Sequence, residues 1–201
     1  PNARLDAAET KLLDDWISAG APAPAKGDAC AAPRDVPDAG VHLSCAPDVA
    51  VRPATPYALG ADVDDILVCY GWDSPHPSKR HIIGLAPAIG AAGELHHVTL
   101  LQSDVAVSPV PAPCSPDAMT SWRSLYGWAP GAGALELPPE AGLPEGPGTH
   151  LVVQMHFVNP RHVAVSDASG FDLCTTDQLR PNDADVMAFG TTEITVPPRG
   201  S

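Results

Sequence analysis

Two adjacent histidines, His96 and His97, lie inside the apolar run from Leu95 to Leu101, and a third, His156, lies inside the run from Leu151 to Val158. Imidazole nitrogen is a ligand for copper, zinc, iron and nickel, so the chemistry open to these residues is metal binding. Along an extended strand neighbouring side chains project to opposite faces, and His96 and His97 do not reach one point through ordinary alternation. They share a metal if it sits beside the strand edge, with each ring swinging round from its own side through the nitrogen nearer the backbone. That arrangement sets the two nitrogens almost opposite one another. A near-linear pair of neutral imidazoles with a third closing a T suits copper cycling between two oxidation states better than it suits tetrahedral zinc. In the second run, alternation places Leu151, Val153, Met155 and Phe157 on one face and Val152, Gln154, His156 and Val158 on the other, so His156 stands on the less apolar face. An imidazole buried without a partner is costly, which makes a His in such a strand a modest pointer to a site. Taken singly, each of these histidines is more often structural or solvated, and an adjacent pair alone is a weak metal signal.

The elements that must position these residues are strands. The chain has 201 residues, of which 44% are hydrophobic, enough for a sizeable core, and its 24 Pro and 17 Gly disfavour long helices and favour turns. Strand length and composition recur at Ile66 to Tyr70, His81 to Leu85, Leu95 to Leu101, Ser124 to Trp128, Leu151 to Val158, Phe171 to Thr175 and Val186 to Thr192. Seven such runs without a helical pattern between them predict an all-β fold, an antiparallel β-sandwich of jelly-roll-like type, with one short N-terminal helix. Lys and Arg total 11 against 24 Asp and Glu, a formal charge of -13, and such a surface repels phosphate backbones, which excludes nucleic acid as a partner. No run of 18 apolar residues is present, so no membrane helix is expected in this chain.

The helix is expected over residues 5–20. Leu5, Leu12, Leu13, Trp16 and Ile17 fall on one side at helical spacing, Asp6 precedes Glu9 as in a capping box, and Gly20 stands where helices commonly stop. It resembles the last helix of c-type cytochrome domains, in which a Trp-Ile pair precedes Gly-Ala-Pro; no C-x-x-C-H is present, so this chain itself carries no haem, and the resemblance implies an upstream haem domain. An unrelated amphipathic helix at a domain edge is the alternative. Residues 21–63 are Pro/Ala-rich and weakly patterned and read as a linker, which a local Cys30–Cys45 bridge could pin. Residues 64–201 form the β-domain. Pro1 at the start and Pro197-Pro198-Arg199-Gly200-Ser201 at the finish lead us to expect a longer parent chain on both sides.

Five cysteines without a C-x-x-C read as disulfides with one thiol left over, and hence as an oxidising compartment, periplasmic or extracellular.

The segments Lys79 to Pro87, His96-His97, Leu125 to Gly131 and Leu151 to Phe157 together resemble the N-terminal domain of the copper type II ascorbate-dependent monooxygenases, the family of the peptidylglycine α-hydroxylating and dopamine β-monooxygenases. The motifs stand in the family's order and at similar separations over residues 64–201. The resemblance implies one copper in this chain held by His96, His97 and His156, and a second copper on a following domain, because no His-x-His is present here. It further implies hydroxylation of a C–H bond with dioxygen by the whole protein, with electrons from ascorbate or another one-electron donor stored at the copper of this domain. No other residue of this chain is expected to be catalytic. Where the family has Met after the His pair and Cys on the strand beyond, this sequence has Val98 and Ser103. The resemblance accordingly implies a Cys69–Cys174 bridge joining two strands and leaves Cys114 without its partner. Met119, Met155 and Met187 are expected in core or surface roles, and His42, His76, His81, His150 and His162 as structural or solvated rings. Two other function classes stay open: a copper-binding module without oxygenase activity, and a metal-free structural sandwich.

Overall fold

The computed structural model describes residues 6–22, 42–91 and 93–187. The chain divides into two compact units, residues 1–38 and 39–201. Among the described residues no helix is long and apolar enough to cross a membrane.

In the first unit, α1 (Ala7–Ser18) begins where the sequence places a cap. The Asp6 carboxylate accepts from the Ala8 and Glu9 amides, and the Glu9 side chain accepts from the Asp6 amide, so donors left over at the first turn are satisfied reciprocally. The helix ends as Gly20 takes a positive φ of 82°, which lets the Gly20 and Ala21 amides donate back to the carbonyls of Ile17 and Trp16.

The second unit is built from β1 (Val49–Val51), β2 (Tyr57–Leu59), β3 (Asp65–Asp73), β4 (Arg80–Ala88), β5 (Leu95–Ser103), β6 (Ala112–Pro113), α2 (Pro116–Met119), β7 (Arg123–Trp128), β8 (Leu135–Glu136), β9 (Ala141–Glu145), β10 (His150–Val158), β11 (Val165–Asp167), β12 (Gly170–Thr176) and β13 (Asn182–Asp183). One sheet has the order β6-β3-β10-β5-β7 and the other β1-β12-β4-β9-β13, with β8 also on β4; β2 and β11 make a small third ribbon. Pairing is antiparallel apart from β13 against β9. Six of the seven expected strands are present. Of the seventh, Val186 and Met187 are not strand and the rest lies outside the described residues.

Alternation explains most of the sandwich, and on β4 a register shift that skips Ile83 sets Ile82 and Leu85, three apart, on the same side. Val68, Tyr70, Val98, Leu100, Val153, Met155 and Phe157 of the first sheet meet Ile82, Leu85, Phe171 and Leu173 of the second in one core. Each such large side chain contributes about 1.5–3 kcal/mol when fully buried. The Tyr70 hydroxyl donates to the Ser169 carbonyl at 2.8 Å, and burial pushes its pKa well above the ordinary tyrosine value, so the phenol stays neutral. The second half of the segment read as a linker contributes β1 and β2. Val49 and Val51 are buried against β12, but three residues flanked by Pro47, Pro53 and Pro56 are too short for a period-two pattern to register.

The cysteine pairing differs from expectation. Cys69 is bonded to Cys114 and Cys174 to Cys45, with Cα atoms 5.0 and 6.3 Å apart respectively, in place of Cys69–Cys174 and Cys30–Cys45. Cys69 lies between the core residues Val68 and Tyr70, and Cys174 follows core residue Leu173, so both project away from the core, from different sheets. They cannot meet through the sandwich. Cys114 instead arrives beside β3, where Ala112 is the register partner of Cys69 and the Cys114 amide donates to Leu67. Cys45 reaches Cys174 over Gly84, the register partner of Cys174, where a Cβ would stand 3.3 Å from the Cys45 sulfur. Cys30 lies outside the described residues.

Candidate metal centre

His156 follows plain alternation on β10, outward between the buried Met155 and Phe157. Its register partner on β5 is His97, whereas Phe157 pairs with Leu95, so the ladder skips His96. His96 is the extra residue of a β-bulge, the device by which a strand re-aims a side chain. Leu95 and Val98 both point into the core, and the two residues between them both lie on the outer side. The bulge thus removes the objection that adjacent strand residues face opposite ways. The site is also at a strand edge only locally. β5 lies between β10 and β7, but its pairing with β7 begins at Val98, so at His96 and His97 it is paired with β10 alone.

The rings converge through the nitrogens nearer the backbone. Nδ1 of His97 is 3.1 Å from Nδ1 of His96 and 3.3 Å from Nδ1 of His156. One ligand nitrogen from each of the three residues can be chosen so that all lie within 4.8 Å of one another, with His96 exposed and the other two half-buried. The expected opposition of His96 and His97 is not seen. Two bonds of about 2 Å in line would set their nitrogens about 4 Å apart, and the two Nδ1 atoms stand closer than that.

This cluster is suited to a cation. A neutral imidazole has one N–H, which serves at most one of the two short contacts at His97 Nδ1, so lone pairs are left facing one another unless a positive ion is shared among them. Burial, followed by the electrostatic influence of His156 and then His96, lowers the His97 pKa below the ordinary histidine value. That favours the neutral ring, the form that binds metals. An all-imidazole donor set accommodates copper in both of its common oxidation states.

His156 Nε2 is 3.0 Å from Asp65 Oδ1 on β3. Two residues along the same face of β10, the Gln154 amide donates to the sulfur of Met119 at 2.9 Å, which ties α2 to this face. Arg161 is paired with the buried Glu94 just before the bulge, and the Val158 amide donates to the Glu94 carbonyl. Of the remaining histidines, His42 is exposed, while His76 pairs with Glu145, His150 with Asp73 and His162 with Asp64. His81 is fully buried, with Nδ1 accepting from the Arg180 amide and Nε2 2.8 Å from Asp183.

Sequence reasoning overlooked two parts of the site. The bulge left a trace: apolar residues at 95, 98 and 100 are spaced three and then two, where uninterrupted alternation gives two and two. Asp65 left none, because nothing in one chain says that β3 is the neighbour of β10.

An antiparallel sandwich whose outer face gathers three imidazoles presents a candidate metal centre on a β-scaffold. Residues 57–164, more than half of the chain, match the family model described as copper type II ascorbate-dependent monooxygenase, N-terminal domain. The chain belongs to that family and carries its N-terminal, copper-type domain. Among its relatives, dopamine beta-hydroxylase of Rattus norvegicus is 32% identical over 173 residues, 73% of this chain and 28% of the relative. Dopamine beta-hydroxylase of Homo sapiens is 34% identical over 149 residues, 65% of this chain and 24% of the relative. Tyramine beta-hydroxylase of Caenorhabditis briggsae is 32% identical over 130 residues, 59% of this chain and 22% of the relative. The chain thus spans about a quarter of the length of the curated relatives it matches.

Proposed function

We propose that this chain is the electron-storing copper domain of a two-copper monooxygenase that hydroxylates C–H bonds with dioxygen, and that His96, His97 and His156 hold its one copper. The observation that carries this reading is the convergence of three Nδ1 atoms on the outer face of one sheet, at a bulge that turns two consecutive side chains to the same side. Copper there would supply one-electron storage between its two oxidation states. The chain's own part is to hold three neutral imidazoles on packed strands, which keeps reorganisation small as charge changes. The overall reaction consumes a C–H bond, dioxygen, two electrons and two protons, and forms an alcohol and water. Ascorbate or another one-electron donor supplies the electrons, and a further domain carries the second copper, the oxygen and the substrate.

Two disulfides suit an oxidising compartment, and we place the protein in a periplasm or outside the cell. The upstream haem domain rests on the resemblance of the first 20 residues alone; the family match, which begins at residue 57, does not bear on it. The second unit, which includes β1 and β2 as well as the strands after residue 64, is the copper-carrying unit of this proposal.

Copper titration of the chain tests the reading. It should take up about one Cu(II) per chain, lose its paramagnetic signal on addition of ascorbate, and hydroxylate nothing alone, since the oxygen-activating ligands are not in this sequence. Absence of copper uptake would favour a metal-free sandwich. Copper uptake that ascorbate leaves oxidised would favour a binding module.

A further inference from the structure

We infer that Asp65 is a positioning residue of the metal centre, whose carboxylate fixes the His156 ring in the tautomer that turns its Nδ1 lone pair towards His97 and His96. The inference rests on the copper-site reading above.

Asp65 opens β3, and its register partner on β10 is Val158, while His156 is partnered by Leu67. Asp65 and His156 are therefore diagonal neighbours across one ladder. Asp65 shares the outward face with Leu67 and Cys69, so its carboxylate and the imidazole meet without any departure from alternation. The contact is 3.0 Å, from Nε2 to Oδ1. A carboxylate only accepts, so a proton must sit on Nε2; a neutral ring then has none on Nδ1, the atom that stands 3.3 Å from His97. With the alternative tautomer, an N–H would occupy the point where the three nitrogens meet.

Among the described residues, His156 is the one ring of the three with a carboxylate on its distal nitrogen. Stability gives little reason for the contact. Asp65 is 65% exposed, and ion pairs in that setting contribute little to stability. A role in orienting a ligand gives a better one, because a carboxylate on the far nitrogen of a metal-bound imidazole fixes the ring and raises its basicity. Asp64, one residue earlier, supplies an internal control: it faces His162, away from the cluster, at 3.3 Å with both side chains well exposed.

The test compares the unaltered chain with Asp65→Ala, Asp65→Asn and Asp64→Ala by competitive Cu(II) titration, paramagnetic resonance and the copper reduction potential. Asp65→Ala should bind Cu(II) about 10–100-fold more weakly, with altered nitrogen couplings and a raised potential. Asp65→Asn, whose amide oxygen still accepts from Nε2–H, should recover most of the affinity but keep the raised potential. Asp64→Ala should match the unaltered chain. Equal losses in Asp65→Ala and Asp64→Ala would assign the effect to net charge and overturn the positioning role, as would an unchanged spectrum and affinity in Asp65→Ala while the unaltered chain binds copper. Failure of the unaltered chain to bind copper would overturn the site itself, a result distinct from either.

Discussion

His156 and His97 are register partners across the β10–β5 ladder, with their Nδ1 atoms 3.3 Å apart. The pairing makes the site a property of strand register. A one-residue slip of either strand would send one imidazole to the core side.

Replacing His96, His97 or His156 by Ala should each lower copper affinity by more than the about 10–100-fold that loss of an outer-shell partner costs. His76→Ala and His162→Ala should leave it unchanged, because these rings are engaged with Glu145 and Asp64. Metal titration of the five variants checks the assignment, and undiminished affinity in His156→Ala would remove the third ligand.

Deleting His96 should separate the fold from the site. The deletion brings Leu95, His97 and Val98 into uninterrupted alternation, with both apolar residues still facing the core. The variant should fold with a thermal midpoint close to that of the unaltered chain and lose tight copper binding. Loss of folding would show that the bulge is required by the sandwich.

Peptide mapping without reduction should recover Cys45 linked to Cys174 and Cys69 linked to Cys114. The first bond spans 129 residues and ties residue 45 to β12, so Cys45→Ser with Cys174→Ser should cost about 2–5 kcal/mol in denaturant unfolding. A Cys69–Cys174 peptide would contradict the strand faces described above.

Stability should fall in acid partly through Asp48. Burial alone would raise its pKa, but hydrogen bonds from the Thr175 hydroxyl and amide outweigh this, with Arg80 adding charge attraction, and the pKa lies below the ordinary aspartate value. A carboxylate with a depressed folded-state pKa stabilises above its unfolded pKa of about 4, and the contribution is lost as pH falls through the folded value. Asp48→Asn should therefore be less stable than the unaltered chain at neutral pH, with the gap narrowing below about pH 4. A gap that widens in acid would contradict the assignment.

Sequence alone determined six strands of the core and the three imidazoles, but not β1, β2 and β9, whose Val49, Val51, Leu59 and Leu143 also lie in the core. Strand faces are a local matter of alternation, and Val68, Val153 and Phe157 lie inside where period two puts them. The α1 boundaries were equally legible, since the cap residues act within one turn. The disulfides were partly legible. Cys69 and Cys174 lie next to apolar core residues, so alternation alone already turns both outward, whereas the implied bridge required them to meet. Tertiary structure decided what depends on which strand lies beside which: Cys114 next to Cys69, Cys45 over Gly84, Asp65 diagonal to His156, and the skipped His96 opposite the His156–Phe157 step. Strand neighbours are chosen by the burial of whole sheet faces, a sum over residues far apart in the chain; the spacing around His96 hints at a bulge without naming its partner strand, and no local pattern around Asp65 contains that sum.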